Sequence, residues 1–226
     1  MKKWENLPEK FQNDSIRPYY DILKKRTASL VIKRLFDIVL ALILTVIALP
    51  FMIMIAVWIK CDSKGKIFFL QRRVTTYGRV FHIIKFRTMV SNAEKLGTQV
   101  TVQNDSRVTK AGKFLRKCRL DELPQLFNVL KGDMSFVGTR PEVERYVDRY
   151  TDEMLATLLM PSGITSLASI QFKDEEKLLD GAENPDDVYI NDVLPQKMQY
   201  NLEYINKFNF FYDIKLMFMT FFAVLK

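Results

Sequence analysis

Two cysteines and one histidine in 226 residues leave this chain short of the side chains that staple small folds or cage metals. Cys61 and Cys118 lie far apart, with neither metal-ligand spacing nor a secretory signal. This argues against a disulfide framework and points to free thiols in a reducing cytosol. His82 falls within an apolar pattern and receives no role. Internal repeats and low-complexity tracts are missing, and the length is enough for one core. No aromatic-basic recognition motif accompanies the positive charge, so nucleic acid is not expected as a partner.

What is abundant is positive charge and apolar surface. The formal charge of +8, the pI of about 9.4, and 17 Phe with 9 Tyr fit an acidic membrane surface carrying anionic lipids. Leu35 to Ile59 is a run of 25 residues with Asp37 as its one ionisable group. At about 1.5 Å per residue such a helix could cross a hydrocarbon core of roughly 30 Å. It begins too far from the N-terminus, and is too long, to be a cleaved signal peptide.

Two features favour a helix that enters and leaves by one face over a straight span. Pro50 breaks the run into legs of about 22 and 14 Å, neither long enough to cross alone. Both flanks are also basic: Lys24, Lys25, Arg26, Lys33 and Arg34 precede the run, and Lys60, Lys64, Lys66, Arg72 and Arg73 follow it. A crossing helix would strand one basic flank outside.

Around this segment the expected fold class is α+β and predominantly helical, a monotopic membrane protein with a Pro-kinked re-entrant helix, a small β-hairpin and interfacial amphipathic helices. Residues 1–32 read as an N-terminal surface extension, 33–60 as the membrane helix, and 61–226 as a cytosolic catalytic domain. IFFLQRRV and RVFHIIKF alternate around TTYG, a hairpin with Gly78 in its turn. A polar loop from Ser91 to Thr109 follows. Helices are expected over Lys113–Leu120, Pro124–Leu130 and Glu142–Met160, and in a final run over about 201–226. That Phe- and Met-rich end contains Asp213 and Lys215, which favours an interfacial helix, with a buried core helix as the alternative.

The chemistry concentrates in Gly112 to Glu142, where an Asp121-Glu122 pair stands between Arg116, Lys117 and Arg119 on one side and Arg140 on the other. Guanidinium groups bind phosphate oxygens two at a time, and a carboxylate beside them can be nucleophile, base or metal ligand. Asp121 could equally be an N-cap of the helix that Pro124 opens. Gly138-Thr139-Arg140-Pro141 presents one guanidinium on a tight turn, and Lys85 and Arg87 close the hairpin. The joint occurrence of these groups points to work on a phosphate.

From Lys33 onward the chain resembles the bacterial sugar transferases, the monotopic phosphoglycosyl transferases that act on a polyprenyl phosphate. The resemblance rests on KRLFD, Pro50, QRRVTTYGRVFHIIKFRTM, RLDELPQLFNVLKGDMSFVGTRPE, PSGIT and the Phe-rich end. It implies a helix bent at Pro50, Asp121 as nucleophile, and Mg²⁺ held by Asp121 and Glu122. It further implies a phosphate site lined by Lys85, Arg116 and Arg140, to which Arg87 and Arg119 are added as candidate phosphate-binding residues from their place beside these groups. The implied substrates are a UDP-sugar and undecaprenyl phosphate, joined at the cytosolic face of the bacterial cytoplasmic membrane for capsule, exopolysaccharide or other glycoconjugate assembly. A homodimer is an open possibility. The chain departs from the family pattern at Leu49, where a serine is common, at Thr75, where glycine is usual, and across Met160 to Ser166. Rival functions are a non-catalytic scaffold of an envelope assembly complex and a hydrolase in which water resolves the aspartyl phosphate.

Overall fold

The computed structural model describes residues 1–91, 93, 105–172 and 184–225. In chain order the helices are α1 (Arg17–Lys25), α2 (Thr27–Asp62), α3 (Lys110–Lys117), α4 (Gln125–Lys131), α5 (Glu144–Val147), α6 (Leu167–Gln171), α7 (Pro185–Val188), α8 (Leu194–Lys207) and α9 (Phe210–Leu225). The strands are β1 (Phe68–Val74), β2 (Val80–Phe86), β3 (Met134–Val137) and β4 (Ser162–Thr165). The result is a mostly helical body with two two-stranded sheets and one long apolar helix.

The hairpin forms as its alternation predicts, with Phe68 opposite Phe86 and Val74 opposite Val80. Tyr77 and Gly78 take positive φ in the turn (57° and 76°), which lets five residues reverse the chain. The second sheet was not anticipated. Its strands are only four residues long and lie side by side in parallel, so they lack the alternation that marks a half-exposed strand. Gly138 and Gly163 sit backbone against backbone there: a Cβ on Gly163 would collide with the Gly138 main chain, and one on Gly138 with Pro161 O. Thr75, which stands where glycine is usual, is fully buried. Its hydroxyl donates to Asp133 O (2.8 Å) and accepts from Ser162 N (3.2 Å), tying the hairpin turn to both β3 and β4.

Helix α2 differs from the expected 33–60 at its start. It begins at Thr27 and stays helical through Pro50 for 36 residues. Its buried positions, Lys33, Asp37, Ala41, Met52, Ile55 and Ile59, share one narrow stripe, and both ends dock on the same body. At the first end Lys33 Nζ donates to Val137 O (2.8 Å) and Asp213 (2.5 Å), Arg34 donates to Val129 O and Leu130 O, and Asp37 accepts from Phe136 N. At the other end the Asp62 carboxylate accepts from Ala111 N, and Arg87 donates to Ser63 O (2.7 Å) and Lys64 O (2.6 Å). These carbonyls end the helix and need donors, which the guanidinium supplies.

Three expectations are corrected. Residues 1–32 are not a surface extension: Phe11, Ile16, Tyr20 and Leu23 are at most 2% exposed in the main core, and Arg26 donates to Phe208 O. The single helix over Glu142–Met160 is instead α5 and a 3-10 turn, Met154–Leu159, separated by the polar stretch around Asp148 to Glu153, where the Thr151 hydroxyl accepts from Met154 N. The final run is two helices, because Asn209 caps the start of α9 through its contact with Tyr212 N (3.0 Å). The polar loop is described at Ser91, Ala93 and from Asp105, with Thr109 capping α3. The rest of that expectation lies outside the described residues.

Lys33 and Asp213 are 4–5% exposed at their side chains, and Tyr204 OH donates to the other Asp213 oxygen (2.8 Å). Removing one charge strands the other in a poorly solvated place, at a cost of about 3–5 kcal/mol. Lys33→Met should therefore lower the unfolding temperature in detergent sharply. The double variant Lys33→Met, Asp213→Leu should recover most of the loss, as read by differential scanning fluorimetry.

Candidate active site

The site forms where α4 is tied to the hairpin. The fully helical, buried Asn128 accepts from Ile84 N (2.9 Å) through Oδ1 and donates to His82 O (2.8 Å) through Nδ2, completing a strand edge with a side chain. That fixes β2 beside the 3-10 turn Leu120–Glu122. Arg119 enters the turn in the left-handed conformation (φ 56°), which puts Asp121 inward and leaves Arg119 exposed. Gly132 ends α4 at φ 86°, and β3 carries the chain to Arg140.

Three sequence-distant groups then meet. Glu122 Oε1 accepts from Lys85 Nζ (2.9 Å) and from Arg140 Nη2 (2.6 Å). Burial alone would raise the Glu122 pKa, but Arg140 and Lys85 outweigh it and hold the carboxyl well below its usual range. Lys85 is pushed down by burial, against the pull of Glu122. The two partners agree in picture: an ionised carboxylate shared by two cations. Asp121 differs. It is 8% exposed, and among the described residues its carboxylate forms no salt bridge. Burial raises its pKa, with Lys85 and Arg116 opposing and Glu122 adding to the rise. One carboxylate is locked and the other is held close to cations without being paired to them.

Asp121 is not the N-cap of α4. Pro124 occupies that place and makes no side-chain cap bond. Arg116 is close enough to act on Asp121 electrostatically, and its Nε donates to Thr88 Oγ1 (3.0 Å). Arg87 is used elsewhere: it is buried and its donors go to carbonyls at the end of α2. So the structure gathers Lys85, Arg116, Asp121, Glu122 and Arg140, and separates out Arg87 and Arg119. A cavity of about 580 Å³ adjoins the turn, walled by Leu120 and Leu123 on one side and by Phe51, Met54, Ile55 and Trp58 of α2 on the other.

A second charged cluster went unread in the sequence. Glu142 accepts from Tyr189 OH (2.5 Å) and Lys197 Nζ (3.3 Å), and lies 3.7 Å from Arg73. Arg73 also donates to Pro141 O (3.1 Å). One signal was available: in the hairpin register Arg73 faces Phe81 and Phe69 faces Lys85, so alternation places Arg73 on the inward face with Ile83 and Lys85.

Residues 28–226 match the family described as bacterial sugar transferase. The chain belongs to that family. Among its relatives is a UDP-N-acetylgalactosamine-undecaprenyl-phosphate N-acetylgalactosaminephosphotransferase of Aeromonas hydrophila, 40% identical over 84% of this chain and 42% of that protein. A UDP-glucose:undecaprenyl-phosphate glucose-1-phosphate transferase of Escherichia coli K12 is 37% identical over 84% of this chain and 39% of that protein. A putative undecaprenyl-phosphate N-acetylgalactosaminyl 1-phosphate transferase of Bacillus subtilis is 40% identical over 68% of this chain and 85% of that protein. The chain thus spans about two fifths of the length of the Aeromonas and E. coli relatives.

For a bacterial sugar transferase, the two carboxylates carry opposite stability signs. Asp121 has a raised folded pKa, so its ionised form at neutral pH works against the fold, and this cost vanishes below the ordinary carboxylate pKa of about 3.9. Glu122 has a depressed pKa, so it stabilises above that range and loses its contribution as pH falls. Asp121→Asn should raise the unfolding temperature at pH 7 and change it little at pH 3.5. Glu122→Gln should lower it at pH 7.

Proposed function

We propose that this protein transfers a sugar-1-phosphate from a UDP-sugar to undecaprenyl phosphate, through a phosphosugar carried on Asp121. The observation that carries the reading is the unequal carboxylate pair: an unpaired Asp121 beside Glu122, Lys85 and Arg140. An Asp121 oxygen attacks the β-phosphorus, the bond from phosphorus to the bridging oxygen breaks, and UMP leaves with that electron pair. An oxygen of undecaprenyl phosphate then attacks the same phosphorus and releases the Asp121 carboxylate. Lys85, Arg116 and Arg140 neutralise charge on the transferring phosphoryl oxygens, and Glu122 holds two of those cations in place. One site serving both substrates in turn gives ping-pong kinetics.

A magnesium ion fits this donor set when a diphosphate is present. Mg²⁺ is commonly held by one or two carboxylates plus phosphate oxygens, and no cluster of three acidic, Cys or His ligands is found among the described residues. Asp121 and Glu122 would hold it, with Glu122 also accepting from Lys85 and, through both oxygens, from Arg140, and it would supply charge neutralisation at the diphosphate.

Membrane attachment from one face, the cytosolic one, is supported by α2. Sixteen of its large apolar side chains are exposed, among them Leu35, Val46, Ile47 and Met54 at about 60% or more. Burying each is worth roughly 1.5–3 kcal/mol, so α2 belongs in lipid. The contacts of both its ends with one body favour attachment from one face over a straight crossing. Phe211, Phe218, Phe221 and Phe222 of α9 add exposed apolar surface. The apolar cavity beside Asp121 suits the isoprenoid tail of the acceptor, with basic residues meeting its phosphate and anionic headgroups.

Two experiments test this. Detergent-solubilised protein with Mg²⁺, undecaprenyl phosphate and a panel of radiolabelled UDP-sugars should give lipid-soluble label and UMP, both lost in Asp121→Asn. Release of UMP without labelled lipid would point to hydrolysis, and no release with any sugar would favour the scaffold. For topology, single cysteines at Lys24 and at Cys61 should both resist a membrane-impermeant maleimide in intact cells and react after permeabilisation. Labelling of only one in intact cells would establish a crossing helix.

A further inference from the structure

Arg140 needs more than Glu122 to be held. Its chain neighbours are fixed on both sides: Gly163 N donates to Thr139 O (2.9 Å), Arg73 donates to Pro141 O, and Val74 N donates to Glu142 O (2.9 Å). Behind this segment lies the Glu142 carboxylate, with its side chain 6% exposed and that of Lys197 5% exposed. The contacts of Glu142 come from far along the chain. Tyr189 belongs to a π-turn over Tyr189–Val193 that leads into α8, and Lys197 is on the first turns of α8, with its ammonium on Tyr189 OH (2.8 Å) and 4.9 Å over the Tyr189 ring. π-turns interrupt a helix by one extra residue and recur at functional sites, because they re-aim a side chain.

Burying a carboxylate and an ammonium together is expensive, and an apolar pair of the same volume is often as stable or more so. Stability alone therefore gives little reason for this arrangement, whereas placement does. Burial pushes the Glu142 pKa up, but Lys197 and Arg73, with the hydrogen bond from Tyr189, outweigh it and leave the pKa depressed, so the carboxylate is ionised through the neutral range. Arg73 is electrostatically coupled to Arg140 as well as to Glu142. The two guanidiniums repel, and the Glu142 carboxylate beside Arg73 offsets that repulsion.

We infer that Glu142, clamped by Lys197 and Tyr189, is a positioning residue that sets the location of Arg140 through Arg73 and Pro141. The packing of α8 is then part of the phosphate site although none of its residues is in the Glu122 cluster. This inference rests on the transfer function proposed above, so its test keeps the two separable.

The experiment is a double-mutant cycle on purified full-length protein, reading both sugar-1-phosphate transfer and UDP affinity by calorimetry. Glu142→Gln should lower kcat by about tenfold to a hundredfold, the scale of a misplaced catalytic group. In an Arg140→Ala background the same change should cost less than about twofold, because the residue it positions is gone. Tyr189→Phe removes the two hydrogen bonds of that hydroxyl, the one it donates to Glu142 and the one it accepts from Lys197, and keeps the ion pair. It should show the same coupling on a smaller scale, and it serves if Glu142→Gln fails to fold. Equal losses with and without Arg140 would overturn the inference and leave Glu142 as a stability residue only. Tighter UDP binding in Glu142→Gln would overturn it too, since the effect would then be removal of a negative charge. Wild-type protein that binds UDP but transfers nothing would overturn the proposed function, and the cycle in UDP affinity would still decide the role of Glu142. Wild-type protein that does neither would overturn both.

Discussion

Glu122 is the contact on which the site depends. Its Oε1 joins Lys85 from the hairpin to Arg140 from the segment that follows β3, 37 and 18 residues away. Neither cation would stay near the other without it. Two positive groups converging on one point repel by an amount that grows as water is excluded, and a shared carboxylate turns that repulsion into a bridge. The neighbouring Asp121 gains from the arrangement: the bridge satisfies Glu122 and leaves Asp121 ionisable, near positive charge and without a salt-bridge partner. A carboxylate left open beside one that is locked is the pattern by which neighbouring groups of one chemical kind acquire different properties.

The rest of the fold maintains that geometry in layers. Asn128 fixes the hairpin to α4, and Thr75 fixes its turn to the parallel sheet. Gly138 and Gly163 let two backbones approach where any side chain would hold them apart. Helix α2 lies along the outside, polar at both ends and apolar between. The body presents the Lys85, Glu122 and Arg140 cluster near the apolar wall of Phe51, Met54 and Trp58, which sets positive charge and apolar surface within one short distance.

Much of this was legible in the sequence because it is local. The alternation of β1 and β2, the apolar run of α2, and the Asp-Glu pair framed by arginines are patterns of neighbours, and the structure contains all of them. What escaped is non-local. Arg87 reads as a phosphate ligand when only Lys85 and Arg87 at a strand end are visible; that Ser63 and Lys64 present bare carbonyls beside it is a fact about packing. Residues 1–32 look polar and interrupted, yet Phe11, Ile16, Tyr20 and Leu23 find a shared core because α8, the Met154–Leu159 turn and Tyr77 of the hairpin turn come together around them. The Glu142 cluster draws on positions 73 to 197, and no periodicity spans that interval.

The anchoring of α2 at its first end has a consequence for biosynthesis. Lys33 waits for Asp213, and Arg26 waits for Phe208, each about 180 residues later. At roughly 5–20 residues per second, ten to forty seconds pass between their emergence from the ribosome. For most of that interval the longest apolar helix in the chain is finished while the clasp that fixes its first end does not yet exist. Lipid, met early, is its first partner, and the protein assembles onto a segment that has already found its surroundings.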